Sequence, residues 1–123
     1  MEKQKYAAIV LAAGSGKRMN SQVHKQYLII QDRPVLYYSL KEFEDSAVDE
    51  IVLVVGKGEE EFCRREIVDK YGISKVKAIV EGGKERYHSV FEGLKQTSDA
   101  DYVLIHDGAR PFVDQDIIRR CMQ

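Results

Sequence analysis

Between Ala7 and Ala13 the chain reads AAIVLAA, with no polar residue. A continuous apolar run of this length predicts a strand buried on both faces. Leu28-Ile29-Ile30 is apolar too, but short for a main strand. Pro34 stands where a first helical turn could begin. From Val35 the period lengthens: Leu36, Leu40 and Phe43 recur at four- and three-residue steps, with Lys41, Glu42 and Glu44 on the other face, the pattern of an amphipathic helix. Ile51 to Val55 predicts a second strand, stopped by Gly56. Glu59-Glu60-Glu61 opens the next helix, where acidic groups oppose the dipole favourably. Phe62, Ile67 and Tyr71 are expected to face inward there, and Gly72 to end it. Val76 to Val80 predicts a third strand, broken by Gly82-Gly83. Glu85 to Gln96 follows as a helix with Tyr87, Val90, Phe91 and Leu94 expected inward. Tyr102 to Ile105 is a fourth strand, ending at His106-Asp107-Gly108. Asp114 can cap a last helix carrying Ile117 and Ile118.

The order is strand and helix in alternation, four times over. It predicts an α/β fold: a mainly parallel sheet with helices on both faces and right-handed crossovers. No internal repeat, low-complexity tract or linker divides the chain, so residues 1–123 are read as one domain. Ligands in such sheets bind beyond the carboxyl ends of the strands. Three glycine- or charge-rich loops follow three of the strands: Gly14-Ser15-Gly16, Gly82-Gly83, and His106 to Arg110. They are expected at one rim.

Composition narrows the partners. The net charge of −1 gives no global basic field for nucleic acid, so any anion must be met by local clusters. The first apolar run is short and follows a charged start, which does not read as a signal peptide. No segment reaches the length of a membrane span. Cys63 and Cys121 lie far apart without a C-x-x-C, and read as two unpaired thiols in a reducing compartment. The expectation is a cytoplasmic protein.

The glycine loop carries most of the chemistry. Gly14 and Gly16 let the backbone turn and approach a ligand. Lys17 and Arg18 follow, and Lys25 is a further candidate point charge for phosphate oxygens. A dinucleotide fingerprint would need a third glycine where Met19 stands, and a P-loop needs a different spacing. The loop therefore reads either as a polyphosphate cradle or as a tight turn with solvated cations. His24, beside Lys25, could titrate near neutral pH or be ordinary surface. Gly82-Gly83-Lys84-Glu85-Arg86 leads into a helix whose first turn offers backbone N–H groups. Ser89 could bond a base edge there, or be a helix-surface serine. Asp107, at the end of a strand, is a hard oxygen donor suited to Mg²⁺, or a turn-forming aspartate.

Taken together, LAAGSGKRM, HKQYL, EGGKERYHSV and HDGARPF resemble the amino-terminal half of the 2-C-methyl-D-erythritol 4-phosphate cytidylyltransferase family, from Ala8 to about Val113 and in the family's order. The resemblance implies a Rossmann-like three-layer sandwich of the nucleotide-diphospho-sugar transferase type. It implies transfer of CMP from CTP to the sugar-alcohol phosphate, with release of pyrophosphate, in non-mevalonate isoprenoid synthesis. By motif, Ala12, Ala13, Gly14 and Gly16 would contact the nucleotide, and Arg18 and Lys25 would stabilise triphosphate charge during transfer. Gly83, Lys84 and Ser89 would meet the cytosine, with Gly82 supporting that turn. Asp107 would face Mg²⁺ and Gly108 the ribose.

Two positions depart from the family pattern: an acidic residue is common where Lys84 stands, and some members have alanine at Gly108. The larger departure is length, since the family's proteins are about twice as long. The expectation is a truncated chain lacking the half that holds a further lysine, the sugar-phosphate site and a dimerisation arm; the full-length form would be a homodimer. Two other readings stay open. A ribitol 5-phosphate cytidylyltransferase would share this half, although Ala12-Ala13 before Gly14 fits the erythritol family better. The chain alone could also hold CTP without turnover.

Overall fold

The computed structural model describes residues 4–12, 29–30 and 33–107. Its elements run β1 (Tyr6–Ala12), β2 (Ile29–Ile30), β3 (Arg33–Pro34), α1 (Val35–Glu44), β4 (Glu50–Val55), α2 (Glu60–Cys63), β5 (Val76–Glu81), α3 (Arg86–Lys95) and β6 (Tyr102–Asp107). Helix α2 continues as a π-helical segment, Arg64–Asp69. The predicted last helix and Cys121 lie outside the described residues.

Strands β5-β4-β1-β6 form a parallel four-stranded sheet in that order. The AAIVLAA run supplies a central strand, with Ala7, Ala8, Ile9 and Val10 fully buried. That burial explains why its sequence never alternates with polar residues. Alternation instead divides its side chains between two cores. Ala8, Val10 and Ala12 join Leu36, Leu40, Phe43, Cys63 and Ile67 on one face, with Ile51, Leu53 and Val55 of β4. Ile9 and Leu11 join Val52 and Val54 on the other, with Val90 of α3 and Val103 of β6 packed against them. The layers are therefore α1 with α2, the sheet, and α3. The short run at Ile29-Ile30 pairs antiparallel with Arg33-Pro34 as a separate two-stranded ladder. Pro34 thus stands just before α1 rather than in its first turn.

The face of α3 departs from expectation. Tyr87, Phe91 and Leu94 are 68%, 58% and 42% exposed, while Ser89 and Gly93 are the buried positions. Close approach is the reason: a Cβ on Gly93 would lie 2.7 Å from Cγ2 of Ile9. Small residues let the helix axis sit low on the sheet, and the large ones turn outward. Phe62 is likewise exposed, whereas Ile67 in the π-helical segment is buried as expected, with Cys63 and Val68 beside it. Tyr71 is half-buried against the Tyr37 ring, 4.7 Å between centroids.

Polar ties hold the layers in register. At the amino-terminal rim Lys5 reaches Glu50 and Asp99 at 2.6 Å each, and Lys77 reaches Glu50 at 2.7 Å. The partnership with Asp99 and Glu50 holds the Lys5 ammonium protonated well above its ordinary range. At the end of α1, Glu44 accepts the N–H groups of Ser74 and Lys75 at 3.1 and 2.8 Å, and the Ser74 hydroxyl. Burial pushes the Glu44 carboxyl up, but the Ser74 hydroxyl and the two N–H groups outweigh it and hold it below the usual carboxylate value. A depressed carboxylate stabilises the fold above its unfolded pKa and loses that contribution as pH falls through the folded value. Thermal midpoints of wild type and Glu44→Gln are therefore expected to differ most near neutrality and to converge as the medium is acidified below about pH 4. A gap that widens in acid would contradict this.

Among the described residues, no helix is long and apolar enough to cross a membrane.

Candidate functional site

The chain winds from β1 to β4 to β5, then returns to β6 on the other side of β1. The winding reverses between β1 and β6, and ligands in sheets of this kind bind at such a reversal, beyond the carboxyl ends. Register brings those ends together: Leu11 pairs with Asp107, Ala12 with Val55, and Val55 with Glu81. Ala12 and Asp107 thus flank the reversal. The Gly82-Gly83 loop leaves the same rim after β5. Three strand spacings separate β5 from β6, about 14 Å, a span suited to an extended nucleoside triphosphate. The remaining predicted site residues, Ala13, Gly14, Gly16, Arg18, Lys25 and Gly108, lie outside the described residues, as do Lys17 and His24.

The Gly82-Gly83 loop is tightly built. Gly82 donates its N–H to the Val55 carbonyl at 2.8 Å, prolonging the ladder by one bond. Gly83 donates to Oγ of Ser89 at 3.2 Å. Ser89 is 3% exposed, so its first duty is to hold this loop. Its hydroxyl proton is left as a donor, since accepting does not consume it. A Cβ on Gly83 would lie 2.2 Å from Cβ of His88, a separation only glycine avoids. His88 also closes the helix start, its Nδ1 accepting the Glu85 N–H at 3.4 Å. Lys84 and Arg86 are exposed beside the loop.

Carboxylates tie the loops of the rim together. On its β4–β5 side, Glu81 accepts the Gly58 N–H at 2.8 Å and Glu59 accepts the Gly56 N–H at 3.1 Å. Burial, then the charge of Glu81 and a hydrogen bond with it, pushes the Glu60 carboxyl up. Exposed Lys84 and Arg86 stand beside these carboxylates. His88 under the glycine and the Glu60–Glu81 pair are absent from the sequence reading; no motif marks them, because both depend on how loops fold back.

A metal's place can be judged from the donors. Among the described residues, no group of three or more His, Cys, Asp or Glu could hold an ion by itself. Asp107 offers one carboxylate at the exposed end of β6. Magnesium is commonly held by one or two carboxylates together with substrate phosphates. Among the described residues, the donors therefore fit an ion shared with a bound phosphate ligand better than one held by the protein alone.

The family model for 2-C-methyl-D-erythritol 4-phosphate cytidylyltransferase matches residues 6–123. A relative of that description from Lachnoclostridium phytofermentans is 56% identical over 115 residues, covering 94% of this chain and 49% of the relative. Another from Lachnospira eligens is 54% identical over 117 residues, covering 94% and 51%. Among solved structures, a 4-diphosphocytidyl-2C-methyl-D-erythritol synthase from Anaerococcus prevotii superposes with a TM-score of 0.78 at 31% identity, over 97% of this chain and 49% of that one. The chain spans about half the length of the curated relatives it matches.

Proposed function

The chain belongs to the 2-C-methyl-D-erythritol 4-phosphate cytidylyltransferase family, and from that premise we propose that its protein transfers CMP from CTP to 2-C-methyl-D-erythritol 4-phosphate, releasing pyrophosphate. The observation that carries the reading is the family match over residues 6–123. The rim at the β1–β6 reversal supports it.

In this reading an oxygen of the acceptor phosphate attacks the α-phosphorus of CTP. A new P–O bond forms, and the bond to the bridging oxygen breaks, with its electron pair leaving on pyrophosphate. The acceptor is a phosphate monoester with a second pKa of about 6, mostly dianionic at neutral pH. No general base is required. The obstacle is the approach of two anions, so the protein's task is to neutralise charge and hold the groups in line. Arg18 and Lys25 supply fixed positive charge against the triphosphate. Ala12, Ala13, Gly14 and Gly16 would meet it with backbone. Gly82, Gly83, Lys84 and Ser89 receive the cytosine, the Gly83–Ser89 bond setting the loop. Gly108 would lie by the ribose, and Asp107 would hold Mg²⁺. When bound, the ion supplies further positive charge against the phosphate oxygens. The protein is read as a cytoplasmic homodimer in its full-length form, with residues 1–123 a single nucleotide-binding domain.

Pyrophosphate release by the full-length protein, with CTP and either acceptor, tests the assignment. Release with the methylerythritol phosphate and little with ribitol 5-phosphate is the expected result. The reverse preference would move the protein to the ribitol reaction. CTP binding by calorimetry without release on any acceptor would leave a nucleotide-binding module.

Gly83→Ala probes the base end of the rim. The added methyl collides with the backbone-attached Cβ of His88, so the loop must shift and the bond to Ser89 is lost. CTP affinity is expected to fall about tenfold, the worth of one hydrogen bond. Unchanged affinity in calorimetry would remove this loop from the nucleotide site.

A further inference from the structure

One polar pair lies partly buried where the proposed reaction does not yet use it. Oγ of Ser39 on α1 lies 3.2 Å from Nε2 of His106 on β6, a contact between residues 67 apart in sequence. Ser39 is completely buried on the helix face that also carries Leu36, Leu40 and Phe43. The His106 ring meets the Phe43 ring edge-on, 5.6 Å between centroids. Whichever ring nitrogen carries the proton, one of the two groups donates to the other.

Stability alone does not call for this pair. Replacing both members of a buried hydrogen bond with apolar groups of like shape can be close to neutral. What an apolar contact lacks is direction: the bond fixes one orientation of the strand end, whereas apolar packing tolerates several. The strand end concerned is the one at the site. β6 lies at the end of the four-stranded order, with β1 as its partner there. Its carboxyl end would fray more readily than the centre. Its side chains alternate: Leu104 packs into the core beneath α1, and Val103 into the core beneath α3. His106 is therefore anchored on the α1 side, and Asp107, the next residue, is directed to the opposite face, where α3 and Ser89 lie.

We propose that Ser39 and His106 are a positioning pair that fixes the carboxyl end of β6, so that Asp107 presents its carboxylate to the metal–nucleotide complex. The proposal rests on the reading of Asp107 as the metal-facing residue. Neither Ser39 nor His106 touches substrate in this account; both act through the backbone between them and Asp107.

Two measurements test it. The first needs no ligand: hydrogen exchange at the amides of residues 105–107, on this chain. Exchange is expected to quicken in Ser39→Ala and in His106→Leu. It should stay slow in His106→Gln, whose side-chain nitrogen can occupy the place of Nε2. Equal exchange in all of them overturns the pair as an anchor. The second uses the full-length protein: Mn²⁺ binding in the presence of CTP, by calorimetry, with thermal midpoints as a control. Metal affinity is expected to fall about 10- to 100-fold in Ser39→Ala and His106→Leu, the range seen when groups supporting a metal ligand are removed. CTP affinity without metal should hold, and His106→Gln should recover most of the loss. Faster exchange with unaltered metal affinity would overturn the positioning role and leave a structural tie. If metal fails to strengthen CTP binding by the wild type, the metal reading of Asp107 fails instead, and the exchange result tells the two apart.

Discussion

Replacing Lys25 by alanine in the full-length protein is expected to lower cytidylyl transfer about 10²–10³-fold, with only a modest loss of CTP affinity. The size follows from removing one charge-stabilising donor from a site where two anions meet, roughly 3–4 kcal/mol of barrier. The split between turnover and binding follows from when the charge develops. On the proposed reading, ground-state CTP would already be held by backbone and base contacts. The demand on Lys25 grows as the acceptor phosphate approaches and pyrophosphate begins to leave. An interaction realised mainly in the transition state lowers kcat when it is lost and leaves substrate affinity nearly intact. Lys25→Arg should recover only part of the rate, since a planar guanidinium does not replace a compact ammonium. Calorimetry with CTP and a steady-state pyrophosphate assay separate the two quantities. A near-normal kcat in Lys25→Ala would take this residue out of the mechanism. A loss confined to CTP affinity would make it a ground-state anchor.

The second large effect concerns stability. Phe43→Ala is expected to cost about 3–5 kcal/mol, the range for truncating a buried aromatic ring. Phe43 is 2% exposed in the larger core, on the helix that packs against β1. Its ring also borders His106, so the cavity would open where the two layers meet. A domain of ordinary stability has about 5–15 kcal/mol in all, and this single change would use up much of it. Urea unfolding should show a lower midpoint with an unchanged slope. Tyr87→Ala is the matched control. Tyr87 is also an aromatic on a helix, yet 68% exposed, and its loss is expected within about 0.5 kcal/mol of zero. If Tyr87→Ala cost as much as Phe43→Ala, the described face of α3 would be wrong.

That pair of substitutions marks where local pattern stops informing. A hydrophobic period in α3 points to Tyr87, Val90, Phe91 and Leu94 as the inner face; Val90 does pack against the core, but the other three are exposed. The packed face is Ser89 and Gly93, because contact with Ile9 leaves no room for a Cβ. Closeness of approach is a property of two elements, and neither one's periodicity contains it. Phe62 fails for a related reason: which flank of α2 lies over the sheet depends on where β4 and β5 put it.

The site divides along the same line. Glycine and aspartate after apolar runs are legible as loops at strand ends, and the carboxyl-end rule then gathers Gly82, Gly83 and Asp107 at one rim. The bond from Gly83 to Ser89, the collision waiting between Gly83 and His88, the Glu60–Glu81 pair and the Ser39–His106 tie are not legible. Each joins side chains brought together by turns or by strand order, and a single chain of letters carries no distances.

From sequence alone come the alternation of strands and helices, the uninterrupted apolar run that demands a strand covered on both faces, and the motifs that place the chain in its family; these rest on local periodicity and on short spacings. The strand order that sets β1 between β4 and β6, the reversal that brings Ala12 and Asp107 to adjacent strand ends, and the face each helix buries were decided only in three dimensions. Pairing between distant segments is chosen by the combined fit of all the layers, and that fit exists only once they have packed.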